Sequence, residues 1–419
     1  MVVYFDIITK TIKRGNLKPF LKLTDKVFNY AKFVSTATVN VTSNATKATQ
    51  TLKSWDEIPG PSKLPIISSL HHFLPLGSLY NLSGYSLMDK LYKTYGPIVK
   101  LPGIFGAQTY VMLFDTESIG NILRNENYLP KRPGFISLEH YRKVYKKKKG
   151  EIIPEITGLG SDHGEAWKKL RSIVNPILMQ PKTIKLYAAT TDEVACEVVE
   201  RIKSARDDNG LLKNDLGHEM ALWSMETIAL VTLGGRLNCF DPNLPADSPV
   251  KKLIYYAHEA FASVDKLDLR PNLWKLYPTK LYKKTMRVLQ ELEDVNKYFI
   301  QEAINRLKTE TKSDKEKGML EKLLEIDEHI AHIMASDLLF AGADTTSHSV
   351  ILILYLLAKN PEKQRKLREE IMSGSEKRPY LKACLKEAMR VMPVASANTR
   401  ETSKEYNILG YHIPKHVAA

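Results

Sequence analysis

The stretch Asp327–Pro361 decides the fold, and it reads DEHIAHIMASDLLFAGADTTSHSVILILYLLAKNP. Asp327 is a residue type that caps helix N-termini, and Asn360-Pro361 is a stop because proline cannot continue a helix. The interval predicts one helix, Glu328 to Lys359, roughly 48 Å long at 1.5 Å per residue. Residues 350–358 are apolar on every side, so this half is expected to run through the protein interior.

A polar segment, Ala341-Gly342-Ala343-Asp344-Thr345-Thr346, interrupts the middle of this helix. Burying an acid and hydroxyls without partners costs free energy, so they must be satisfied or used. One interpretation is structural: Thr345 bonds the carbonyl of Ala341, and Asp344 faces water at a bend. The other is functional: Gly342 lets a flat cofactor approach the backbone. Asp344 and Thr345 then relay protons to a ligand through water held where the helix widens.

The remaining periodicity predicts a mainly α fold with small β-sheets. Two hairpins are expected, one pairing 97–101 with 110–114 and one spanning 406–413 around Gly410. Apolar residues recur with helical spacing elsewhere, which is typical of amphipathic helices. The predicted helices are 87–94, 165–175, 190–205, 220–232, 250–261, 280–308, 327–359 and 361–372.

The composition indicates a globular protein, with 43% hydrophobic and 26% charged residues among 419. The net charge is +14, and residues 1–54 hold nine Lys or Arg against two acids. The basic run Arg142–Lys149 contains one tyrosine, so we interpret it as a solvated face and expect no nucleic-acid partner. Three scattered cysteines fit a reducing compartment, and Cys196 is expected to be a small buried hydrophobe of an amphipathic helix.

Residues 1–54 are interpreted as a leader that precedes the globular domain, 55–419. Ser35 to Ser54 is rich in Ser and Thr and has no acid, which is typical of a mitochondrial transit peptide. The leader has a single arginine, so a disordered basic tail stays an alternative. Its first apolar run, Met1 to Phe5, is too short for a spanning helix, which needs about 20 residues. No transmembrane helix is expected.

Three motifs occur in a telling order. Gly164-Glu165-Ala166-Trp167-x-x-x-Arg171 comes first, the Ala341–Thr346 segment follows, and Glu387-Ala388-Met389-Arg390 comes last. With the proline-rich start at Ile58 and the hairpin at Gly410, this order resembles the cytochrome P450 family of haem-thiolate monooxygenases. The similarity covers residues 55 to about 415.

The resemblance implies a haem b cofactor and hydroxylation of a hydrophobic small molecule with dioxygen. It implies that Trp167 and Arg171, joined by Arg400, bind the propionates. Asp344 and Thr345 would be catalytic and deliver protons. The other roles it implies are haem contact for Ala341 and Gly342, scaffold support for Glu387 and Arg390, and substrate contact for Phe340, Val394 and Ala395.

The helix Leu381–Glu387 resembles the ferredoxin-docking helix of the mitochondrial branch, and the overall pattern is similar to arthropod members. Lys382 and Lys386 are four residues apart and share a helix face, where they can meet an acidic surface. The implied partner is a mitochondrial, adrenodoxin-like ferredoxin that passes on electrons from NADPH. The implied location is the matrix side of the inner mitochondrial membrane, with peripheral membrane association.

The family's signature, Phe-x-x-Gly-x-Arg-x-Cys-x-Gly, is not found in this sequence, so no axial metal ligand is predicted within it. Gly235-Arg236-Leu237-Asn238-Cys239 resembles it superficially, but has an extra residue before the cysteine. We therefore expect a cytochrome P450 fold that is incomplete at the C-terminus and, by itself, inactive. The alternative is a non-catalytic helical protein that binds a hydrophobic ligand or a ferredoxin.

Overall fold

The computed structural model describes residues 52–65, 67–104, 108–213, 215–269, 273–309, 317–395 and 397–418. Residues 1–51 of the predicted leader lie outside the described residues. The described chain divides into two compact units. The helical unit comprises 173–262 and 288–395, and the mixed unit comprises 52–172, 263–287 and 397–418.

The described residues are mainly helical, with four short strands, as predicted. Two three-residue 3₁₀ turns, Trp55–Glu57 and Leu70–His72, precede the first helix. A π-helical turn, Tyr141–Tyr145, joins α3 to α4. The helices are α1 (Gly84–Tyr95), α2 (Thr116–Arg124), α3 (Ile136–His140), α4 (Lys146–Lys148), α5 (Gly164–Leu178), α6 (Pro181–Leu186), α7 (Ala188–Ser204), α8 (Leu216–Leu233), α9 (Pro249–Leu269), α10 (Lys280–Leu307), α11 (Met319–Leu324), α12 (Glu328–Lys359), α13 (Pro361–Met372) and α14 (Pro379–Val391).

Both predicted hairpins are confirmed, and both lie in the mixed unit. Strand β1 (Ile98–Leu101) pairs antiparallel with β2 (Tyr110–Leu113), and β3 (Tyr406–Ile408) pairs with β4 (Tyr411–Ile413). Gly410 has a φ of 80°, a left-handed conformation that glycine adopts without a Cβ penalty. The turn of the second hairpin depends on that glycine.

The core of the mixed unit forms where the start of the domain meets β1. Ile58, Ile98, Val111 and Ile413 are buried together. Lys100 is 4% exposed, and its ammonium donates to the Trp55 carbonyl at 2.8 Å and to Asp56 at 2.9 Å. These partners offset the cost of burying a charge and fix the proline-rich start on the strand.

The long helix is confirmed as α12. Asp327 caps it by accepting from the Ile330 N–H at 2.9 Å, and Pro361 begins α13 directly after Asn360. α12 lies along α8 and also contacts α11, α13 and α14. Ser224 of α8 donates to the Gly342 carbonyl at 2.8 Å. A Cβ at Gly342 would overlap the Ile228 side chain, so glycine permits this close approach of the two helices.

The expected burial of residues 350–358 is wrong. The buried residues of α12 end at Ile351, and Leu354 is 45% exposed. The reason is that α8 covers the earlier turns of the helix, whereas apolar composition alone does not state where a neighbour ends. In the described part of the chain, α12 is also the one helix long and apolar enough to cross a membrane, a criterion that core helices of soluble proteins meet as well.

Two other expectations need correction. Cys196 is exposed on α7, although it was expected to be buried. The run Arg142–Lys149 is only partly a solvated face: Arg142 donates to the Thr157 carbonyl at 3.0 Å, and Lys143 pairs with Glu139 at 3.1 Å. Its later lysines are exposed. Long-range partners, which local pattern does not encode, decide both cases.

Replacing Gly342 with Ala is expected to destabilise the protein by about 1–3 kcal/mol, the usual cost of overpacking a close interface. Alanine is otherwise the better helix former, so this sign depends on Ile228. The matched control is Gly120→Ala in α2, where the new methyl meets only the flexible Arg124 side chain at 3.1 Å. Urea unfolding gives both free energies. In an Ile228→Ala background Gly342→Ala should become neutral or stabilising, and an unchanged penalty would contradict the assignment.

Candidate functional site

The mixed unit gathers basic side chains around Trp167. This residue lies near the start of α5, and the guanidinium of Arg132 sits over its ring, 4.5 Å from the centroid. Burial lowers the pKa of Arg132, and the positive charges of Arg400 and Arg171 lower it further. The predicted residues Trp167, Arg171 and Arg400 are therefore brought together around a fourth residue, Arg132.

This arginine cluster, Arg132, Arg171 and Arg400 with Trp167, holds more positive than negative charge. Glu126 is the acid that opposes the lowered pKa of Arg132, and it pairs with the Arg400 Nε at 2.5 Å. The Nε of Arg132 is buried and has no hydrogen-bond partner among the described residues. A desolvated guanidinium with an unused donor favours an anionic ligand.

Sequence reasoning missed Arg132. It lies well upstream of Trp167, in the segment between α2 and α3, and no spacing relates it to the α5 motif. Only its position over the indole ring assigns it to the cluster. A lone arginine beside a proline carried no signal that could have found it.

The polar segment of α12 is divided among three directions. Gly342 faces α8. Phe340 and Asp344, four residues apart, share a second face, and Ala341 and Thr345 share a third. Ala341 is exposed and Thr345 is half-buried. This last pair is the part of the segment that remains accessible in the helical unit.

Asp344 is held by a histidine that sequence reasoning missed. The carboxylate is 6% exposed and lies 3.3 Å from the Nδ1 of His258 on α9. Its backbone carbonyl accepts from the Nδ1 of His348, whose pKa burial lowers, so that this ring is neutral at pH 7. Asp344 therefore does not face water, as the structural interpretation supposed. A ring on a different helix gave no sequence signal.

The Thr345 hydroxyl donates to the Ala341 carbonyl at 2.8 Å, which agrees with the structural interpretation for this residue. Its oxygen keeps lone pairs that can accept a hydrogen bond. α12 runs as α-helix through the segment, so the expected widening at Gly342 is not observed. The proton-relay expectation for Thr345 therefore depends on its oxygen as acceptor.

Two expectations on α12 change. Gly342 was expected to admit a cofactor, but its open side is filled by Ile228, so its role is helix packing. Phe340 was expected to face substrate, but it is 7% exposed and its ring stacks on Phe261 of α9 at 4.8 Å. Both residues contribute to the packing of the helical unit.

The residues of α14 lie at its surface. Arg390 donates two hydrogen bonds to Glu387, both at 2.7 Å, and their side chains are 52% and 61% exposed. These bonds lower the pKa of Glu387. Among the described residues the pair's hydrogen bonds stay within α14, so it is an exposed pair of small energetic weight and not the scaffold cluster expected. Lys382 and Lys386 are exposed.

Other predicted residues are less constrained. Of the expected substrate contacts that follow α14, Val394 is half-buried and Ala395 is exposed. Cys239 lies in the loop that wraps Glu226, and its N–H donates to that carboxylate at 2.8 Å. Burial and this acid raise the pKa of the Cys239 thiol, which disfavours a metal-binding thiolate there.

Comparisons with known proteins give these motifs a family. A family model described as Cytochrome P450 matches residues 58–418. Cytochrome P450 CYP12A2 of Musca domestica is 37% identical over 395 residues, covering 89% of this chain and 73% of that protein. Probable cytochrome P450 12a5, mitochondrial, of Drosophila melanogaster is 35% identical, covering 86% of this chain and 70% of that protein.

The fold comparison agrees. The structure of retinoic acid bound cyanobacterial CYP120A1 superposes with a TM-score of 0.63 at 18% identity, covering 88% of this chain and 76% of that one. Several relatives carry mitochondrial names and come from flies. The chain therefore belongs to the cytochrome P450 family of haem monooxygenases, in its arthropod mitochondrial branch.

Proposed function

We propose that this protein hydroxylates a hydrophobic small molecule, using dioxygen and electrons that pass from NADPH through a ferredoxin. The observation that carries the proposal is the arginine cluster, which is buried, cationic and incompletely paired. Haem b, when bound, supplies the activation of dioxygen. Its two propionates are anions of the kind that this cluster favours, so the residues present fit the group.

Each member of the cluster has a distinct part in holding haem. Arg132 offers its unused Nε–H, and Arg171 adds charge-assisted hydrogen bonds. Trp167 offers its indole N–H, while its ring face supports Arg132. Arg400 is steadied by Glu126, so it contributes part of its charge. Ala341 is an exposed small side chain that can lie against a flat ring.

Proton handling is assigned to Thr345 and Asp344. The Thr345 oxygen, with its proton directed to Ala341, can accept a hydrogen bond from water or a protonated ligand. Asp344 can hold a proton in exchange with His258, at 3.3 Å, which connects the buried carboxylate to a more exposed ring. His258 is thus a positioning residue for Asp344.

Electron delivery is assigned to α14. Lys382 and Lys386 are exposed on one face, and lysine charges steer an acidic protein to its docking site. Mitochondrial names among the relatives favour this partner. We place the enzyme at the matrix side of the inner membrane, with peripheral association to that membrane.

The haem proposal is tested by titrating haem into the purified chain and following the Soret absorbance. Arg132→Ala and Arg171→Ala should each weaken binding by roughly 10- to 100-fold, because each removes a charge-assisted hydrogen bond. Arg124→Ala, an exposed arginine of the same unit, is the matched control. Unchanged affinity in both variants would reject the propionate site. No haem uptake by the wild type would favour the non-catalytic alternative.

Replacing Thr345 by Ala should uncouple electron use from product formation. The fraction of NADPH that yields product should fall at least about tenfold, with peroxide released instead, because proton delivery is impaired while haem binding survives. Thr345→Ser should retain coupling. Thr346→Ala, the neighbouring exposed threonine, is the control. The assay uses the full gene product, and coupling in Thr345→Ala equal to that of the control would refute the role.

Reversing both docking charges, Lys382→Glu with Lys386→Glu, should raise the KM for ferredoxin roughly tenfold at low salt. The difference should shrink at high salt, because salt screens exposed charges. Lys147→Glu with Lys283→Glu makes the same charge change elsewhere and is the control. Reduction by dithionite, which needs no docking, should be unaffected in both. An unaltered KM at every salt concentration would exclude α14 as the docking surface.

A further inference from the structure

Two basic segments of the mixed unit have no part in the site described above. The first, 142–152, contains the run Arg142–Lys149. The second, 273–287, reads LWKLYPTKLYKKTMR and has five basic residues and no acid. We call the exposed residues of these two segments the lysine face.

The two segments lie against each other. The His140 Nε2, at the end of α3, is 3.0 Å from the Tyr282 hydroxyl. The Trp274 ring packs edge-on against His140 at 5.2 Å and stacks on Tyr282 at 5.8 Å. The charge of Lys148 acts on His140, so the basic run is adjacent to this aromatic cluster. A shared surface therefore results from residues far apart in sequence.

Large apolar side chains project from the lysine face. Ile152 is 97% exposed, Leu276 is 73% exposed and Tyr277 is 66% exposed. Neighbouring Leu273 and Val144 are 41% and 40% exposed. Single exposed apolar residues are ordinary, but a group beside a common aromatic cluster indicates a contact surface.

Lysines surround these apolar residues. Lys147, Lys148, Lys280 and Lys283 are exposed, and among the described residues none of them has a carboxylate within ion-pairing distance. Their long aliphatic stems let the ammonium groups reach away from apolar surface. The face thus combines unneutralised positive charge with aliphatic and aromatic tips.

We propose that the lysine face binds the surface of an anionic membrane, with Leu276, Tyr277 and Ile152 entering the headgroup layer and the lysines on lipid phosphates. Lysine is depleted from the cores of protein interfaces, whereas basic residues around leucine and aromatic tips are typical of membrane-surface elements. Tyrosine is also enriched at the membrane–water interface. This inference deepens the peripheral association included in the proposed function, and it does not require bound haem.

The test is co-flotation of the full purified chain with vesicles. One set contains phosphatidylcholine alone, and the other contains phosphatidylcholine mixed with phosphatidylglycerol. The chain should bind the anionic vesicles and not the neutral ones, and binding should weaken as salt is raised. Equal binding to both compositions would overturn the proposal.

Lys147→Glu with Lys283→Glu should lower the partition coefficient roughly 30-fold or more, since each surface lysine contributes about a factor of five to ten. Lys147→Gln with Lys283→Gln should lower it in the same direction but less. Leu276→Ser with Tyr277→Ser should lower it by about tenfold through lost insertion. Circular dichroism and thermal unfolding verify that each variant is folded.

The matched control is Lys382→Glu with Lys386→Glu, which changes the net charge equally on α14 and should bind vesicles as the wild type does. Wild-type binding in the folded Lys147/Lys283 variants would overturn the assignment. Binding to soluble polyglutamate but not to anionic vesicles would overturn it too, in favour of an acidic protein. Haem titration reads the proposed cofactor site separately, so failure of one proposal is distinguishable from failure of the other.

Discussion

The close approach of α8 to α12 at Gly342 sets the arrangement of the helical unit. Because no side chain stands there, Ile228 fills the space and Ser224 reaches the backbone carbonyl. That contact fixes the rotation of α12 about its axis. A face containing Phe340 and Asp344 is thereby turned to α9, and Ala341 and Thr345 are left accessible. One glycine thus separates the packing residues of the motif from those available to a ligand.

Buried charges in the two units are treated differently. Glu226 in the helical unit accepts from the N–H groups of Leu237, Asn238 and Cys239 and pairs with Arg236, so its charge is fully used in holding a loop. Such a network is structural. The arginine cluster of the mixed unit is the opposite case, because its donors exceed its acceptors. Unequal pairing of buried charge, and not burial itself, distinguishes a candidate ligand site from a structural one.

Positive charge outside the cluster is also divided by its surroundings. On α14 the exposed lysines stand on a helix whose acid and arginine neutralise each other, as in the Glu387–Arg390 pair. On the lysine face, charge is mixed with projecting side chains such as Leu276 and Ile152. An acidic protein requires only the first kind of surface, whereas a lipid headgroup layer also accepts apolar insertion. The net charge of +14 therefore serves more than one contact.

The sequence by itself determined the long helix, its cap and its stop, both hairpins and the family motifs. These are local matters, because capping, proline geometry and periodicity act within a few residues. It also placed Trp167 and Arg171 on one helix face. Tertiary structure alone decided what distant residues contribute. Arg132 and His258 join the site from other elements, and Ile228 makes Gly342 a packing residue. Contacts between distant segments depend on how helices pack, which no local pattern in one sequence records.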